Sequence, residues 1–584
     1  MLIFLKWYKI PLLLNNFAPV VQWIGHRSSE SMMWVRFLPG AQKTVDSSEN
    51  SLGKNLILKI PKEVSYVTER LEKAGFEAYL VGGCVRDLLI DNPPAGGPKD
   101  WDITTNAKPD QIIKLFEKTV YENTFGTVGV YVSRETLTTD VIRETPQYFI
   151  VEVTPYRLEG QYTDFRHPDV VKFSEKLEDD LKRRDFTVNA MALRTHKGEL
   201  ILKDMFGGLK DMESKTLRTV GGADDRFAED ALRMLRAVRF SVQLDFSISH
   251  ETGESILKNS HLIKEISAER IRDEFIKIIM SKSPASGIAM LQKFGLLKNI
   301  IGELEEGIKI EQGGEHIYDV WEHSLHALQH AADVSLPAGG WPLEIRLAAL
   351  FHDIGKPRSR RLASPDAFAQ EYPASHRHRS QKHTGEVKKK YTFYGHEVVG
   401  ARMTKKIMER LKFPKKETEL VEKLVRNHMF FSDTELITLS AVRRVIVKVG
   451  KENIWALMNV RECDRVGMKK KEAPYRLRKY FAMIEEALRD PISVNSLKID
   501  GEFMIRELGI MPGPRMGWIL HALLEEVLDD PSKNTVEHLS ELVKSLDALP
   551  DGALKALGER GKEKKEELEE GEIEKLHTKH GVRK

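Results

Sequence analysis

Apolar positions at Val64, Val67 and Leu71 recur at helical spacing, so Pro61–Ala74 is expected to be a helix that starts on proline and stops at Gly75. Ala78–Val81 is an apolar run of strand length, Gly82-Gly83 a turn, and Cys84–Ile90 the start of another helix. After a Pro/Gly loop over Asn92–Pro98, the pattern predicts a strand at Trp101–Thr104 and a helix at Pro109–Lys118. It then predicts strands at Gly129–Ser133 and Phe149–Thr154, a helix over Leu177–Leu193 and a hairpin turn at Gly198. Strands mixed with helices up to about Gly208 give an α+β domain. From Asp224 the spacing is helical almost throughout, punctuated at Ser281–Gly287 and Leu336–Pro342. Arg358–Lys390 is polar and basic and reads as an insertion. Pro512-Gly513-Pro514-Arg515 separates one helix from the next, Gly517–Leu528. Asp551–Lys584 is a dense Glu/Lys run, either a frayed charged helix or a disordered tail. The fold class is therefore α+β, a mixed sheet with helices followed by an all-α region.

Composition changes this picture little. The chain has 584 residues, 41% hydrophobic and 30% charged, which suits several domains with real cores. Net charge is +3, from 90 Lys plus Arg against 87 Asp plus Glu, so a polyanionic partner needs a local basic patch. Two cysteines without metal-ligand spacing, Cys84 and Cys463, point to a reducing compartment, and a cytoplasmic location is expected. No apolar run reaches the roughly 20 residues of a membrane helix. The first residues stand apart: Trp34-Val35-Arg36-Phe37 can be written in codons as TGG GTT CGA TTC, which contains the T-loop string of a tRNA gene. Residues 1–50 are accordingly expected to be a leader that is non-native or disordered, and a natural peptide from before Ser47 overturns the first of these.

Three constellations carry chemistry. In the first, Leu80-Val81-Gly82-Gly83-Cys84-Val85-Arg86-Asp87 precedes Asp100-Trp101-Asp102. A Gly-Gly turn lets backbone N–H groups approach phosphate oxygens, and Arg86 lies one turn into the following helix. Asp100 and Asp102 alternate on the expected strand and so share a face, where they repel each other unless a cation lies between them. Mg²⁺ prefers such a site, a few carboxylates plus phosphate oxygens. Glu152, in Val151-Glu152-Val153, is the candidate third carboxylate; the alternative is an outward-facing strand glutamate.

The second constellation is Arg183-Arg184-Asp185-Phe186-Thr187-Val188-Asn189-Ala190, followed by Glu229-Asp230-Ala231-Leu232-Arg233-Met234-Leu235-Arg236-Ala237-Val238-Arg239-Phe240. Arg233, Arg236 and Arg239 line one side of a helix, with Leu232, Leu235 and Val238 on the neighbouring buried side. An exposed arginine stripe is usually a solvated face. Here an acid, Asp230, precedes it in register, and carboxylate plus guanidinium can present acceptors and donors to the edge of a base.

These motifs stand in the order found in class II tRNA nucleotidyltransferases, the bacterial and eukaryotic CCA-adding enzymes and bacterial poly(A) polymerases. The chain resembles that family from about Pro61 to Met280, including Ser267-Ala268-Glu269-Arg270, which is similar to the family's neck motif. The resemblance implies a polymerase-β-like head and template-independent addition of CCA to tRNA from CTP and ATP by two-metal phosphoryl transfer. Poly(A) addition, or partial addition of only CC or only A, is the alternative. It implies that Asp100 and Asp102 bind Mg²⁺, with Glu152 beside them. Gly82, Gly83, Arg86 and Arg184 would contact the incoming triphosphate, Asp230 and Arg233 would read the Watson–Crick edge, and Arg236 and Arg239 would support the nucleotide. Two departures are Met205, where the family usually has proline after the aspartate, and the long stretch Glu135–Pro146.

The third constellation is His323, His352-Asp353, His396, His428 and Asp464. Imidazole and carboxylate together suit Mn, Fe, Co or Ni better than Mg. The order resembles the HD phosphohydrolase superfamily, which implies phosphatase or cyclic phosphodiesterase chemistry; a structural helical domain is the alternative. A function of another class, an HD phosphohydrolase with an RNA-binding head, follows if the head is vestigial. His376–Arg379, Lys382 and Lys388–Lys390 could touch RNA phosphates or form a solvated loop. The expected organisation is a head over 61–215, a neck with the nucleotide-recognition helix over 216–300 and an HD-type metal domain over 301–480. An RNA-binding helical tail over 481–550 and a charged tail over 551–584 follow. The expected partners are tRNA, ATP and CTP, with no membrane.

Overall fold

The computed structural model describes residues 60–90, 97–122, 126–133, 148–159, 171–196, 199–312, 316–334, 336, 339–362, 391–429, 438–467, 475–489, 494 and 497–580. The expected leader, the Glu135–Pro146 stretch, Gly198 and the basic residues between His376 and Lys390 lie outside them. The chain divides into two compact units, one of residues up to Arg426 with Asn459–Lys469, the other of Asn427–Met458 and Lys470 onward.

The first unit opens with α1 (Lys62–Lys73), β1 (Ala78–Val81), α2 (Gly83–Leu89), β2 (Asp102–Thr105), α3 (Pro109–Leu115), β3 (Thr119–Glu122), β4 (Thr127–Ser133) and β5 (Tyr148–Pro155). The short pair β6 (Arg157–Glu159) and β7 (Val171–Phe173), then α4 (Leu177–Lys182), β8 (Met191–His196), β9 (Glu199–Asp204) and α5 (Gly208–Glu213) follow. One mixed sheet runs β3-β4-β5-β2-β1-β8-β9, with β2 and β5 parallel and the other neighbours antiparallel. One face is a closed core: Ile103, Val128, Val130, Val151 and Val153 are buried with Val64, Val67 and Leu71 of α1 and Ile112 of α3. On the other face α4 covers one end, where Leu177 and Leu181 pack with Tyr79, Val81, Tyr156 and Ala192.

Leu177–Leu193 is not one helix. It breaks after Lys182, makes a 3-10 turn at Thr187–Asn189 and becomes strand β8. The backbone there is taken by another segment: Thr187 N donates to Arg218 O at 2.9 Å and Val220 N to Asp185 O at 3.1 Å. The Asp185 carboxylate also accepts from Phe186 N at 2.8 Å, a local bond that competes with helix. At Asp204 the missing proline leaves the turn intact, because its carboxylate accepts from Gly208 N and Leu209 N at 2.8 and 2.9 Å.

Helices then dominate: α6 (Ala223–Glu229), α7 (Leu232–Leu244), α8 (His250–Asn259), α9 (Ala268–Ile279), α10 (Pro284–Lys293), α11 (Leu297–Ile301), α12 (Val320–Asp333), α13 (Leu343–Phe351), α14 (Lys356–Ser359), α15 (His396–Arg410) and α16 (Lys415–Asn427). Beyond them lie α17 (Leu439–Val449), α18 (Ile454–Asp464), α19 (Tyr475–Leu488), α20 (Gly501–Arg506), α21 (Pro514–Asp529), α22 (Val536–Asp547) and α23 (Asp551–Lys579). A mixed sheet followed by helices is the α+β class expected. No described helix is long and apolar enough to cross a membrane. The charged run is a helix through Lys579, and it docks by lacking side chains. Leu554, Gly558 and Gly561 form its buried face, and a Cβ on Gly558 would lie 2.7 Å from the Trp518 Cα of α21.

Candidate functional site

β2 begins at Asp102, one residue later than expected, so Asp100 lies in the bend before the strand. Pairing still reaches back to Trp101, whose carbonyl accepts from Glu152 N at 3.2 Å. Trp101 is buried, while Asp100 is exposed and Asp102 half-buried. Asp102 stands opposite Glu152 in the parallel β2–β5 ladder, and register partners share a face. Glu152 is exposed, and Asp102 is also the register partner of Val81, the residue before the Gly82 turn. Burial raises the Asp102 carboxyl above its ordinary range; Arg184 opposes the shift, and Asp100 and Asp180 add to it. A cation among these oxygens would relieve that repulsion, so the donor set fits a hard divalent ion.

Gly82 has φ +77°, and a Cβ there would lie 3.0 Å from Arg184 Nη1 and 3.3 Å from Asp102 Oδ2. The turn is therefore wedged between cation and carboxylate. Arg184 is set by Asp180, fully buried on α4, which accepts from Arg184 Nη2 at 3.2 Å and from Arg183 Nη2 at 2.6 Å. Arg184 Nε is buried without a hydrogen-bond partner. Arg86 turns inward instead, donating to Asn189 Oδ1 at 2.7 Å and to Asp87 at 2.8 Å. Cys84 is no nucleophile: its thiol donates to Val81 O at 3.1 Å, and burial pushes it up to about 12.

The arginine stripe of α7 does not face solvent. Arg233 and Arg239 are buried, and each guanidinium has a carboxylate, as buried charges require. Arg233 donates to Glu229 at 2.8 Å and to Arg183 O at 3.1 Å. Arg236 clamps Asp185 Oδ2 through Nε and Nη2 at 2.8 and 2.6 Å, and Arg239 reaches Glu274 at 3.0 Å. Burial alone would raise Asp185, but Arg236 holds its carboxyl well below the usual range. The guanidinium carbons of Arg86, Arg236 and Arg239 lie 5.2, 5.3 and 4.1 Å from the Phe240 ring centroid. Asp230 ends α6; it caps Leu232 N at 3.0 Å and accepts from Arg270 at 2.7 Å.

A second cluster lies among α12, α13 and α18. His323, His352, Asp353 and Asp464 are all buried, and their four ligand atoms lie within 4.8 Å of one another. The two imidazole Nε2 atoms are 3.1 Å apart. Asp464 Oδ1 lies 3.3 Å from His323 Nε2, and Asp353 Oδ2 lies 3.2 Å from His352 Nε2. His352 Nδ1 is 2.7 Å from Ala349 O, which fixes Nε2 inward, as is usual for a ligating imidazole. Burial alone would depress His352, but the Asp353 and Asp464 carboxylates push it up to about 10. This set of two imidazoles and two carboxylates fits a transition metal. His396 Nε2 lies 3.4 Å from the other Asp353 oxygen. His428, which belongs to the second unit, is buried just beyond the end of α16.

A family model described as "Poly A polymerase head domain" matches residues 78–218, and "Probable RNA and SrmB-binding site of polymerase A" matches 245–308. "HD domain" matches 320–469, and "tRNA nucleotidyltransferase domain 2" matches 397–543. Segment by segment, the chain is similar to poly(A) polymerases and tRNA nucleotidyltransferases. Among similar proteins, the CCA-adding enzyme of Lactobacillus delbrueckii is 46% identical over 37% of this chain and 50% of its own length. That of Geobacillus thermodenitrificans is 42% identical over 41% of this chain and 55% of its own. The chain thus spans about half the length of the curated relatives it matches. The solved Bacillus stearothermophilus CCA-adding enzyme in complex with CTP is 25% identical, covering 83% of this chain and 97% of its own, with a TM-score of 0.48.

Sequence reasoning left several residues of these sites without a role. Asp180 was legible, because it precedes Arg183 and Arg184 by three and four residues. Asp185, Asn189, Arg270 and Glu274 were not, since their partners are distant in sequence. Lys356, 2.6 Å from both Asp353 and Gln312, was likewise missed.

Proposed function

We propose that this chain completes tRNA 3′ ends, adding C, C and A from CTP and ATP without a nucleic-acid template. The observation that carries the reading is Asp102 beside Glu152 across β2 and β5, with Gly82 and Arg184 at their edge. Asp100, Asp102 and Glu152 would hold Mg²⁺, which supplies charge neutralisation at the reacting phosphate. Arg184 and the Gly82-Gly83 backbone bind the triphosphate. Arg86 positions that turn through Asp87 and Asn189. Asp230 accepts from a base amino group and Arg233 donates to a base acceptor, while Arg236 and Arg239 brace them. The names of the L. delbrueckii and G. thermodenitrificans relatives support CCA addition over poly(A) addition. In the test, tRNA lacking CCA is given labelled CTP and ATP, separately and together, with Mg²⁺. Two C residues, one A and arrest are expected; long A tails from ATP alone would make it a poly(A) polymerase. The proposed tRNA substrate and the two free, buried cysteines, Cys84 and Cys463, support a cytoplasmic location.

The buried cluster supports a second activity, metal-dependent phosphohydrolysis. His323, His352, Asp353 and Asp464 would hold Mn, Fe, Co or Ni, with His396 as a further ligand; the metal would supply Lewis-acid activation of water. Metal analysis of the purified chain, with hydrolysis of a 2′,3′-cyclic phosphate, tests it; a metal-free, inactive protein sinks it.

A further inference from the structure

The sheet face that carries Asp102 and Glu152 continues past them. In steps of two along β5, Ile150 and Tyr148 follow Glu152 on that face. Tyr131 lies opposite Ile150, and Val120 opposite Gly129, which is itself the partner of Glu152. Lys118 adjoins Tyr131 at the sheet edge, its carbonyl accepting the Tyr131 amide at 3.0 Å. Ile150, Val120 and Tyr148 are 52%, 48% and 40% exposed. The Tyr131 and Tyr148 rings meet edge to face, centroids 6.1 Å apart, and Lys118 Nζ sits 3.7 Å from the Tyr148 centroid. These side chains are not needed for the core, which Val128, Val130, Val132, Val151 and Val153 complete on the opposite face. At the other end of the same face, Leu177 and Leu181 of α4 close over the sheet, and Arg184 follows them.

We propose that the strip Tyr131, Tyr148, Ile150 and Lys118 binds the unpaired 3′-terminal nucleotides of the RNA. Their bases would stack on the two rings, and a phosphate would meet Lys118. The identity of the RNA end rests on the transferase reading above; the strip itself rests on geometry. With α4 closing one end and Arg184 engaged with the triphosphate, a strand whose 3′ hydroxyl reaches the carboxylates has, among the described residues, this open way to lie. Exposed rings with a cation at their level match single-stranded nucleic acid, because every base offers a π face and every linkage a charge. A protein adding a strand to the β3 edge would use backbone groups and need neither ring.

The test is fluorescence anisotropy of the full chain with two tRNA-like hairpins, one blunt and one ending in unpaired 3′ nucleotides. The overhang should bind more tightly than the blunt end. Tyr131→Ala with Tyr148→Ala should weaken overhang binding on the order of tenfold, leave the blunt hairpin unchanged, and be rescued by Tyr131→Phe with Tyr148→Phe. Equal affinity of wild type for both hairpins, or an unchanged overhang affinity in the folded alanine variant, overturns the proposal. If that variant fails to fold, 2-aminopurine in the wild-type overhang decides: quenching on binding supports stacking, and unchanged emission overturns it. A dimer that the alanine variant dissociates also overturns it, since a second copy then covers the strip. Wild type that shows ring-dependent overhang binding but no nucleotide incorporation keeps the strip and sinks the transferase reading. Incorporation without ring dependence sinks the strip alone.

Discussion

The two acidic centres of the first unit are built on opposite plans. In the head, Asp100 and Glu152 are exposed, Asp102 is half-buried, and a β-ladder holds two of the three in register. In the HD segment, His323, His352, Asp353 and Asp464 are buried and interlocked, with Lys356 against Asp353 and Arg461 against Asp464. An open site on a sheet can admit a polymer end, and its charges remain partly hydrated without an ion. A closed site made by helices excludes water, so its charges must be balanced by protons, by neighbouring cations or by a metal. The first centre should therefore be dispensable for stability and the second should not.

The largest expected effect tests this directly. Asp102→Ala should lower nucleotide incorporation on the order of a thousandfold, since several kcal/mol of transition-state charge stabilisation are lost. Thermal unfolding and metal content of the HD segment should stay as in wild type; loss of either would show that the two centres are not independent. Next, His352→Ala removes one of the two imidazoles that face buried Asp353 and Asp464 and should destabilise the fold by about 3–5 kcal/mol, read by denaturant unfolding. Folded His352→Ala should still incorporate nucleotides. Asp180→Asn removes the carboxylate that sets Arg183 and Arg184 and should raise the KM for CTP and ATP on the order of tenfold, with a smaller change in kcat.

A smaller effect is a pH dependence. Arg236 holds the Asp185 carboxyl below its unfolded value of about 4, so its contribution is full above that value and fades as pH falls toward the folded one. Asp185→Asn should lower stability at neutral pH by about 1.5–3 kcal/mol and flatten the acid-side decline below about pH 4. An acid profile parallel to wild type would remove the pair from the account. Least of all, thiol alkylation at neutral pH should leave activity unchanged, because Cys84 and Cys463 are buried and burial raises both thiols.

Much of this was legible in sequence where a signal is local. Val64, Val67 and Leu71 announce α1, Ala78–Val81 is a strand as read, and period two puts Asp102 outward beside buried Trp101. The His-Asp order announced the buried cluster. What failed was non-local. The spacing of Arg233, Arg236 and Arg239 describes a stripe, but Glu229, Asp185 and Glu274 decide that it turns inward, and two of them lie far away in sequence. Leu177–Leu193 has apolar positions enough for a helix, yet the segment at Arg218–Val220 takes its backbone bonds. In the charged run, helix docking depends on Gly558 and Gly561, residues that periodicity counts as breakers.

The ladder that sets Asp102 opposite Glu152 has a further bearing on how such a head can change over generations. Spacing between the two acids is set by hydrogen bonds between β2 and β5, not by the number of residues joining them. The number of residues joining the two acids along the chain is therefore free to vary without moving either of them, and each doubling of a flexible connection costs only about 0.6 kcal/mol in closure entropy. Length variation of that kind is cheap, so lineages can change the chain between the two strands while the pairing of the acids stays fixed.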